Sequence, residues 1–225
     1  MIFRLVVQTL AFLAVVGAAL LSAGGDPLWP EAWIYLAEMA TFSLALGIWL
    51  AGYDPALLSA RLSSPIQKDQ RPWDRIFMGT AFVAFFAWIG LMGLDARRFR
   101  WSETSLWCEF TGLILIALCM VICWRTFRSN TFASPQVRMQ GLRNHKVVTN
   151  GPYRFIRHPM YAGALLYFLG VPLLLGSWCG LMLFPVFAFG LGARAIGEER
   201  MLRSRLTDYD IYARNVRYRF IPYVW

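Results

Sequence analysis

The chain has 225 residues and a formal net charge of +9; 58% of its residues are hydrophobic and only 16% are charged. A soluble domain is nearer half apolar and a quarter charged, so this composition indicates a membrane protein. The positive charge is a poor sign of nucleic-acid binding, because the basic residues are spread over several loops that flank apolar segments.

The first half of the chain holds four apolar stretches that are long enough to span a bilayer. A bilayer core of about 30 Å requires roughly 20 apolar residues in a helix. The first stretch also resembles a signal peptide, since Arg4 precedes it and Leu21-Ser22-Ala23 is a passable cleavage site. It is long for a signal peptide, and we interpret it as a retained helix. The four predicted transmembrane helices cover residues 2–23, 31–52, 74–94 and 105–127.

The remaining predicted elements are a short helix, a hairpin and a tail. Residues 56–62 could form a short helix along the membrane interface. A further apolar region, 161–194, is interrupted near residues 176–180. Each arm has about 16 residues, or about 24 Å at 1.5 Å per residue, which barely spans the membrane and predicts a helical hairpin. Apolar residues at helical spacing over 202–216 predict an amphipathic tail helix that Pro222 ends.

We therefore predict an all-α integral membrane protein with four transmembrane helices, a C-terminal helical hairpin and an amphipathic tail helix. Residues 1–127 hold the four helices, and residues 128–225 hold a loop, the hairpin and the tail of the same membrane domain. The distribution of Lys and Arg predicts that both termini are cytoplasmic. Of the 22 basic residues, 19 then fall inside, and only Arg97, Arg98 and Arg100 fall outside. The basic loops could also hold anionic lipid headgroups.

The residue types that carry chemistry lie at the two ends of the predicted hairpin. Pro159 suits the first turn of a helix, so His158 would lie at the helix start, where free N–H groups can hold a carboxylate. Arg194 and Glu198, four residues apart, share one face of the second arm. A hairpin returns its ends to one another, so Glu198 should approach His158 and Tyr161.

These motifs carry a resemblance to a known family. GPYRFIRHPMYAG at 151–163, RAIGEERML at 194–202 and the tyrosines at 209 and 212 resemble the isoprenylcysteine carboxyl methyltransferases and their bacterial relatives. Phospholipid N-methyltransferases share a looser version. The resemblance implies S-adenosylmethionine-dependent methylation at the cytoplasmic face without a Rossmann domain. In agreement, no GxGxxG fingerprint follows a predicted strand in this chain.

The resemblance also implies roles for individual residues. Arg194 would face the substrate and hold its carboxylate. A glutamine that the family often has before this loop stays unassigned among Gln136, Arg138 and Gln140. The residues that would bind S-adenosylmethionine are His145, Lys146, Val147, Val148, Tyr153, His158, Pro159, Met160, Tyr161 and Glu198.

The expected chemistry suits these residue types. The sulfonium already activates the methyl group, so the enzyme must mainly align the reactants and exclude water. A carboxylate nucleophile needs no general base, and Arg194 can orient it through a bidentate contact. The substrate would be a lipophilic small molecule or a lipidated substrate that enters the hairpin from the bilayer. Its methyl-accepting group, a carboxylate in the resemblance, could also be a thiol or an amine.

Other interpretations stay open on the sequence alone. A sterol-type reductase that uses NADPH has a similar His-Pro-Tyr run, and a lipid-binding scaffold would need no catalysis. Arg154 and Arg157 could each mark only the membrane boundary. Glu198 and Glu199 could be a solvated first turn of the tail helix, with Arg194 in a simple ion pair with Glu198.

Several polar residues inside the predicted helices have no role from the resemblance. Glu38 and Glu109 are carboxylates within membrane helices, and we expect them to form hydrogen bonds between helices. Cys119 and Cys123 share a helix face, but no histidine or carboxylate joins them at metal-ligand spacing. We therefore expect no metal site.

Overall fold

The computed structural model describes residues 1–63, 72–131 and 147–225, and within these residues the chain is helical with no strand. In the described part of the chain, the α-helices are accompanied by a π-helical turn at Leu94–Arg98 and a 3₁₀ turn at Gly151–Arg154. The α-helices are α1 (Ile2–Gly24), α2 (Pro30–Tyr53), α3 (Pro55–Arg61), α4 (Pro72–Gly93), α5 (Leu106–Ser129), α6 (Pro159–Leu175), α7 (Trp178–Met182), α8 (Phe184–Arg203) and α9 (Tyr209–Asn215).

Among the described residues, five helical spans are long and apolar enough to cross a membrane. They comprise α1, α2, α4 with its π-turn, α5, and α7 continued by α8, while α6 is shorter but apolar. The four predicted N-terminal helices are confirmed, with each end within two residues of its expected place. This is the architecture of a multi-pass integral membrane protein.

The predicted C-terminal hairpin is also present. Its first arm, α6, ends at Gly176, whose φ of 77° is a left-handed conformation that glycine adopts readily. A buried carboxylate fixes the turn, because Asp95 accepts hydrogen bonds from the Ser177 hydroxyl at 2.5 Å and the Cys179 amide at 3.1 Å. Ser102 donates to the same carboxylate. The turn between the hairpin arms is thereby joined to the end of α4.

The two helices α5 and α6 lie unusually close. A Cβ atom built on Gly112 would collide with the backbone of Gly170 and Leu174, and one on Gly170 would collide with the carbonyl of Gly112. Small residues allow such close backbone approach between membrane helices. The first arm of the hairpin, α6, therefore packs directly on α5. This packing holds the N-terminal end of α6 beside the C-terminal end of α5.

The short helix α3 occurs where the sequence predicts it, but its apolar face packs on protein. Asp54 caps it by accepting the Leu57 amide at 2.9 Å. Leu57 and Leu58 are buried in a cluster with residues of α1, α2 and α5. The helix is thus held by the helix bundle at the end of α2.

The predicted tail helix over 202–216 is wrong in its extent. The second hairpin arm continues to Arg203, a turn follows, and only Tyr209–Asn215 is helical again, so Pro222 does not end it. Ser204, whose hydroxyl donates to the Met201 carbonyl at 2.8 Å, competes with the helical hydrogen bonds and stops α8. The sequence shows apolar residues at helical spacing across this break because Tyr209 and Tyr212 are buried after the turn.

Candidate active site

The hairpin brings His158, Tyr161 and Glu198 together. His158 occupies the N-cap position of α6, and Pro159 occupies the first position of that helix. The Tyr161 hydroxyl donates to Glu198 Oε2 at 2.8 Å, and His158 Nδ1 lies 3.7 Å from the same oxygen. The rings of His158 and Tyr161 stack with their centroids 5.3 Å apart. The proximity predicted from the hairpin is confirmed.

Glu199 is the centre of a second, buried group of charges. It is 3% exposed and lies 3.2 Å from His158 Nε2. Arg219 donates to both of its oxygens at 3.1 Å, and Arg157 Nε lies 3.3 Å away. The interpretation of Glu199 as a solvated residue is wrong, as is that of Arg157 as a mere boundary mark, because each is buried against opposite charge.

This group ties the chain after α9 to the start of α6. The amides of Arg157 and His158 donate to the carbonyls of Tyr218 and Arg219, each at 2.9 Å. Phe220 packs edge-on against the rings of both His158 and Tyr161. The segment 216–225, hereafter the C-terminal strap, therefore covers one side of the His158–Tyr161 stack, and sequence reasoning missed it because its pairing is long-range.

Arg194 is buried and forms an ion pair with Asp74 of α4. Its Nη2 and Nε atoms lie 3.0 Å and 3.1 Å from Asp74 Oδ1. The guanidinium carbon is 5.3 Å from the centre of the Phe77 ring and 6.0 Å from that of Tyr161. Arg194 therefore reaches the Tyr161–Glu198 group, and its ion pair joins α8 to α4. Asp74 was not predicted as a site residue, although an acid at the start of an apolar stretch is a signal.

Tyr153 lies at the edge of the site, between the end of α5 and α9. Its hydroxyl accepts a hydrogen bond from Asn130 at 2.7 Å, and its carbonyl accepts one from the Tyr212 hydroxyl at 2.9 Å. Burial raises the pKa of both Tyr153 and Tyr212 well above the usual range, so both hydroxyls stay protonated. Their contact fixes the loop before α6 against the tail.

A cleft of about 860 Å³ opens beside this contact. Val147 and Thr149 line one side, and residues from Arg205 to Val216 line the other. Val147 and Val148 are half-buried. The predicted residues His145 and Lys146 lie outside the described residues, as do Gln136, Arg138 and Gln140.

Pro159 and Met160, two residues predicted to bind the cofactor, have different surroundings from the other predicted site residues. Pro159 is buried at the start of α6. The Met160 side chain packs against the cluster of α1, α2, α3 and α5 around Leu57 and Phe127, which is a different neighbourhood from that of Glu198. Among the described residues, no group of three or more His, Cys, Asp or Glu side chains could hold a metal ion.

The hairpin residues of the site, from His158 to Glu199, lie in the part of the chain that matches a methyltransferase family. Residues 107–208, a little under half of the chain, match the phospholipid methyltransferase family. A protein-S-isoprenylcysteine O-methyltransferase of Schizosaccharomyces pombe is 34% identical over 76 residues, covering 33% of this chain and 32% of that protein. One of Dictyostelium discoideum is 28% identical over 131 residues, covering 58% and 51%. The chain thus spans about half or less of the length of those relatives; it is similar, at modest identity, to protein-S-isoprenylcysteine O-methyltransferases and, over residues 107–208, to the phospholipid methyltransferase family.

Proposed function

We propose that this protein transfers a methyl group from S-adenosylmethionine to the carboxylate of a lipophilic substrate at the membrane. The hydrogen bond between Tyr161 and Glu198 across the hairpin carries the proposal, because it assembles the two resemblance motifs in one place. Both residues lie inside the region that matches the phospholipid methyltransferase family. The names of the curated relatives favour this activity over a reductase or a scaffold.

The residues around Glu198 fit the proposed cofactor. Bound there, S-adenosylmethionine would supply an activated methyl group together with an ammonium and a carboxylate. Glu198, about 29% exposed, offers a carboxylate to a cation, and the aromatic face of Tyr161 offers a second favourable contact. The contact between His158 and Glu199 helps to hold Glu198 and Tyr161 in position. Val147, Val148 and Tyr153 would complete the cofactor site along the loop.

Arg194 is suited to orient an acidic substrate group. Asp74 pairs with its guanidinium, and the rings of Phe77 and Tyr161 lie within 6.0 Å of the guanidinium carbon, so little side-chain freedom is left to lose on binding. The charge of Arg194 favours a carboxylate in a fixed direction, and a carboxylate needs no deprotonation before it attacks. Arg194 thus acts in alignment, while Glu198 acts in cofactor binding.

The lipid-facing surface of the hairpin gives a route for a lipophilic substrate. The side chains of Met182, Val186 and Phe189 are exposed on α7 and α8. In a membrane such side chains face lipid tails, from which an apolar chain can approach α8 without crossing water. S-prenylated cysteine, the group in the names of both relatives, is the substrate class to test first.

The site and both termini face the cytoplasm in this proposal, because 19 of the 22 Lys and Arg residues then lie inside. A variant without native cysteines tests the orientation. A membrane-impermeant thiol reagent should label Leu28→Cys on intact cells and should not label Val224→Cys or Gln140→Cys until the membrane is opened. Labelling of Val224→Cys from outside contradicts the orientation.

Ligand binding and turnover test the activity itself. S-adenosylhomocysteine should stabilise the detergent-purified protein against thermal unfolding, and NADPH should not. The protein should methylate N-acetyl-S-farnesylcysteine with methyl-labelled cofactor and should leave the matching carboxamide unmethylated. Absence of any stabilisation at millimolar S-adenosylhomocysteine refutes the methyltransferase assignment. Methylation of an amine or thiol in place of the acid refutes only the substrate assignment.

A further inference from the structure

The ends of α2 and α5 enclose a groove that the methyl-transfer site does not use. It has a volume of about 680 Å³. The backbone of residues 150–152 forms one wall, where Gly151, at a φ of 58°, fits so closely on Ser129 that no Cβ could be accommodated. The Tyr53 hydroxyl donates to the Arg128 carbonyl at 3.1 Å and fixes the opposite wall. The side chains that line it are mainly Tyr53, Trp124, Arg125, Arg128, Arg154 and Phe155.

The groove concentrates positive charge. Arg125, Arg128 and Arg154 are all exposed, and none of them is in an ion pair with a carboxylate of the described residues. The neighbours of two of them are aromatic instead. The Arg128 guanidinium lies 5.8 Å from the Trp124 ring centre, and that of Arg154 lies 5.9 Å from the Phe155 ring centre. These three guanidinium groups present N–H donors suited to a phosphate.

The groove lies at the depth of lipid headgroups. Tyr53 is the last residue of the membrane span α2, and Arg128 is in the last turn of the span α5. Tryptophan and tyrosine are enriched at this depth, where one end of the side chain meets lipid and the other meets water. Trp49 stacks on Tyr53 at 4.5 Å and meets Trp124 edge-on at 6.1 Å, which forms an aromatic floor below the arginines.

One feature opposes anion binding here. The C-terminal end of a helix carries a partial negative charge of about half an elementary charge, and the groove borders the end of α5. Three full positive charges outweigh it.

We propose that this groove binds the phosphate group of an anionic membrane phospholipid through Arg125, Arg128 and Arg154, with the acyl chains descending beside Trp124. The site is separate from the Tyr161–Glu198 group, so its failure and that of the proposed methyl transfer are distinguishable. Because Arg154 also lines the cleft beside Tyr212, a bound lipid would hold the loop before α6 in place.

Native mass spectrometry of the full chain in detergent tests the proposal, with phosphatidylglycerol and phosphatidylcholine as the two lipids. The wild type should retain phosphatidylglycerol in preference to phosphatidylcholine. Each basic residue near a membrane surface contributes about 1 kcal/mol to anionic-lipid binding, or about fivefold. R125Q/R128Q/R154Q should therefore bind phosphatidylglycerol at least tenfold more weakly, and R125K/R128K/R154K should keep most of the binding.

The matched control is R200Q/R214Q/R217Q, which removes three exposed charges of α8 and the chain after it, outside the groove. It should bind phosphatidylglycerol as the wild type does. Equal loss in both triple variants, or no loss in the groove variant, overturns the proposal. Inorganic phosphate that stabilises the protein as strongly as phosphatidylglycerol overturns the assignment to a lipid. Should the triple glutamine variant fail to fold, the three single variants decide, each with an expected loss of about fivefold.

Discussion

Arg194 of α8 and Asp74 of α4 form a buried ion pair, with Nη2 and Oδ1 3.0 Å apart and the Asp74 side chain fully buried. They are 120 residues apart in the sequence. The pair connects the first turn of α4 to the C-terminal half of α8, so the N-terminal helices contribute to a site whose strongest sequence motifs lie in the second half of the chain. The orientation of Arg194 in the proposed reaction therefore depends on both halves.

Arg194→Ala should separate alignment from cofactor binding. We expect S-adenosylhomocysteine affinity to stay within a few fold, while turnover on a prenylcysteine acid falls at least 10²-fold, which is about 3 kcal/mol. Calorimetry and single-turnover rates measure the two quantities. Arg200→Ala, an exposed neighbour on the same helix, is the control and should change neither. Full activity of Arg194→Ala on a carboxylate would show that its assigned role is wrong.

Asp74 should affect stability and turnover through its ion pair with Arg194. Asp74→Asn removes the charge partner of a buried guanidinium, and breaking a buried ion pair typically costs about 3–5 kcal/mol. We expect a lower unfolding temperature and reduced turnover with nearly unchanged cofactor affinity. In a double-mutant cycle, Arg194→Met should cost much less stability in the Asp74→Asn background than in the wild type. Additive losses would mean that the two residues are not energetically coupled.

Glu198→Gln should weaken cofactor binding first. The substitution keeps the shape and the hydrogen bond from Tyr161 but removes the charge that would face a cationic cofactor, so we expect at least a tenfold rise in the dissociation constant of S-adenosylhomocysteine. Tyr161→Phe should have a smaller effect, since it removes only the hydroxyl that orients Glu198. Glu103→Gln, an exposed acid, serves as the reference. A loss of turnover with unaltered affinity for Glu198→Gln contradicts the assignment.

Glu199→Gln should release the C-terminal strap. The substitution leaves the buried Arg157 and the partly exposed Arg219 without their carboxylate, and we expect a loss of about 2–4 kcal/mol because only part of this group is fully buried. Limited proteolysis should then cut after Arg214 or Arg217 much faster than in the wild type. Asp210→Asn, which disrupts only the exposed pair with Arg203, should leave the cleavage rate nearly unchanged.

Gly112→Ala should destabilise the fold by about 1–3 kcal/mol, because the added methyl group meets the backbone of α6 and the two helices must separate. Gly90→Ala is the matched control, since a Cβ there meets nothing within 4 Å. Thermal unfolding in detergent measures both. Equal unfolding temperatures for the two variants would show that α5 and α6 can move apart at little cost.

The sequence by itself determined the elements that local pattern controls. Apolar length and charge placement were sufficient for the four N-terminal helices and for the hairpin, because a membrane helix must satisfy its own backbone hydrogen bonds. Pro159 and Gly176 marked the ends of α6, since each has a fixed conformational preference. The hairpin alone predicted that Glu198 reaches His158 and Tyr161, as the connection is short.

Only the tertiary structure decided the partners of the buried charges. A solvated Glu199 and a buried Glu199 have the same local sequence, and the choice depends on Arg157 and on Arg219 of the C-terminal strap. The pairing of Arg194 with Asp74 depends equally on how α4 packs beside α8. Burying a charge is costly without a partner, and that partner comes from helix packing and long-range pairing, which residue spacing along one chain does not encode. The same packing placed three arginines around one groove at the membrane surface.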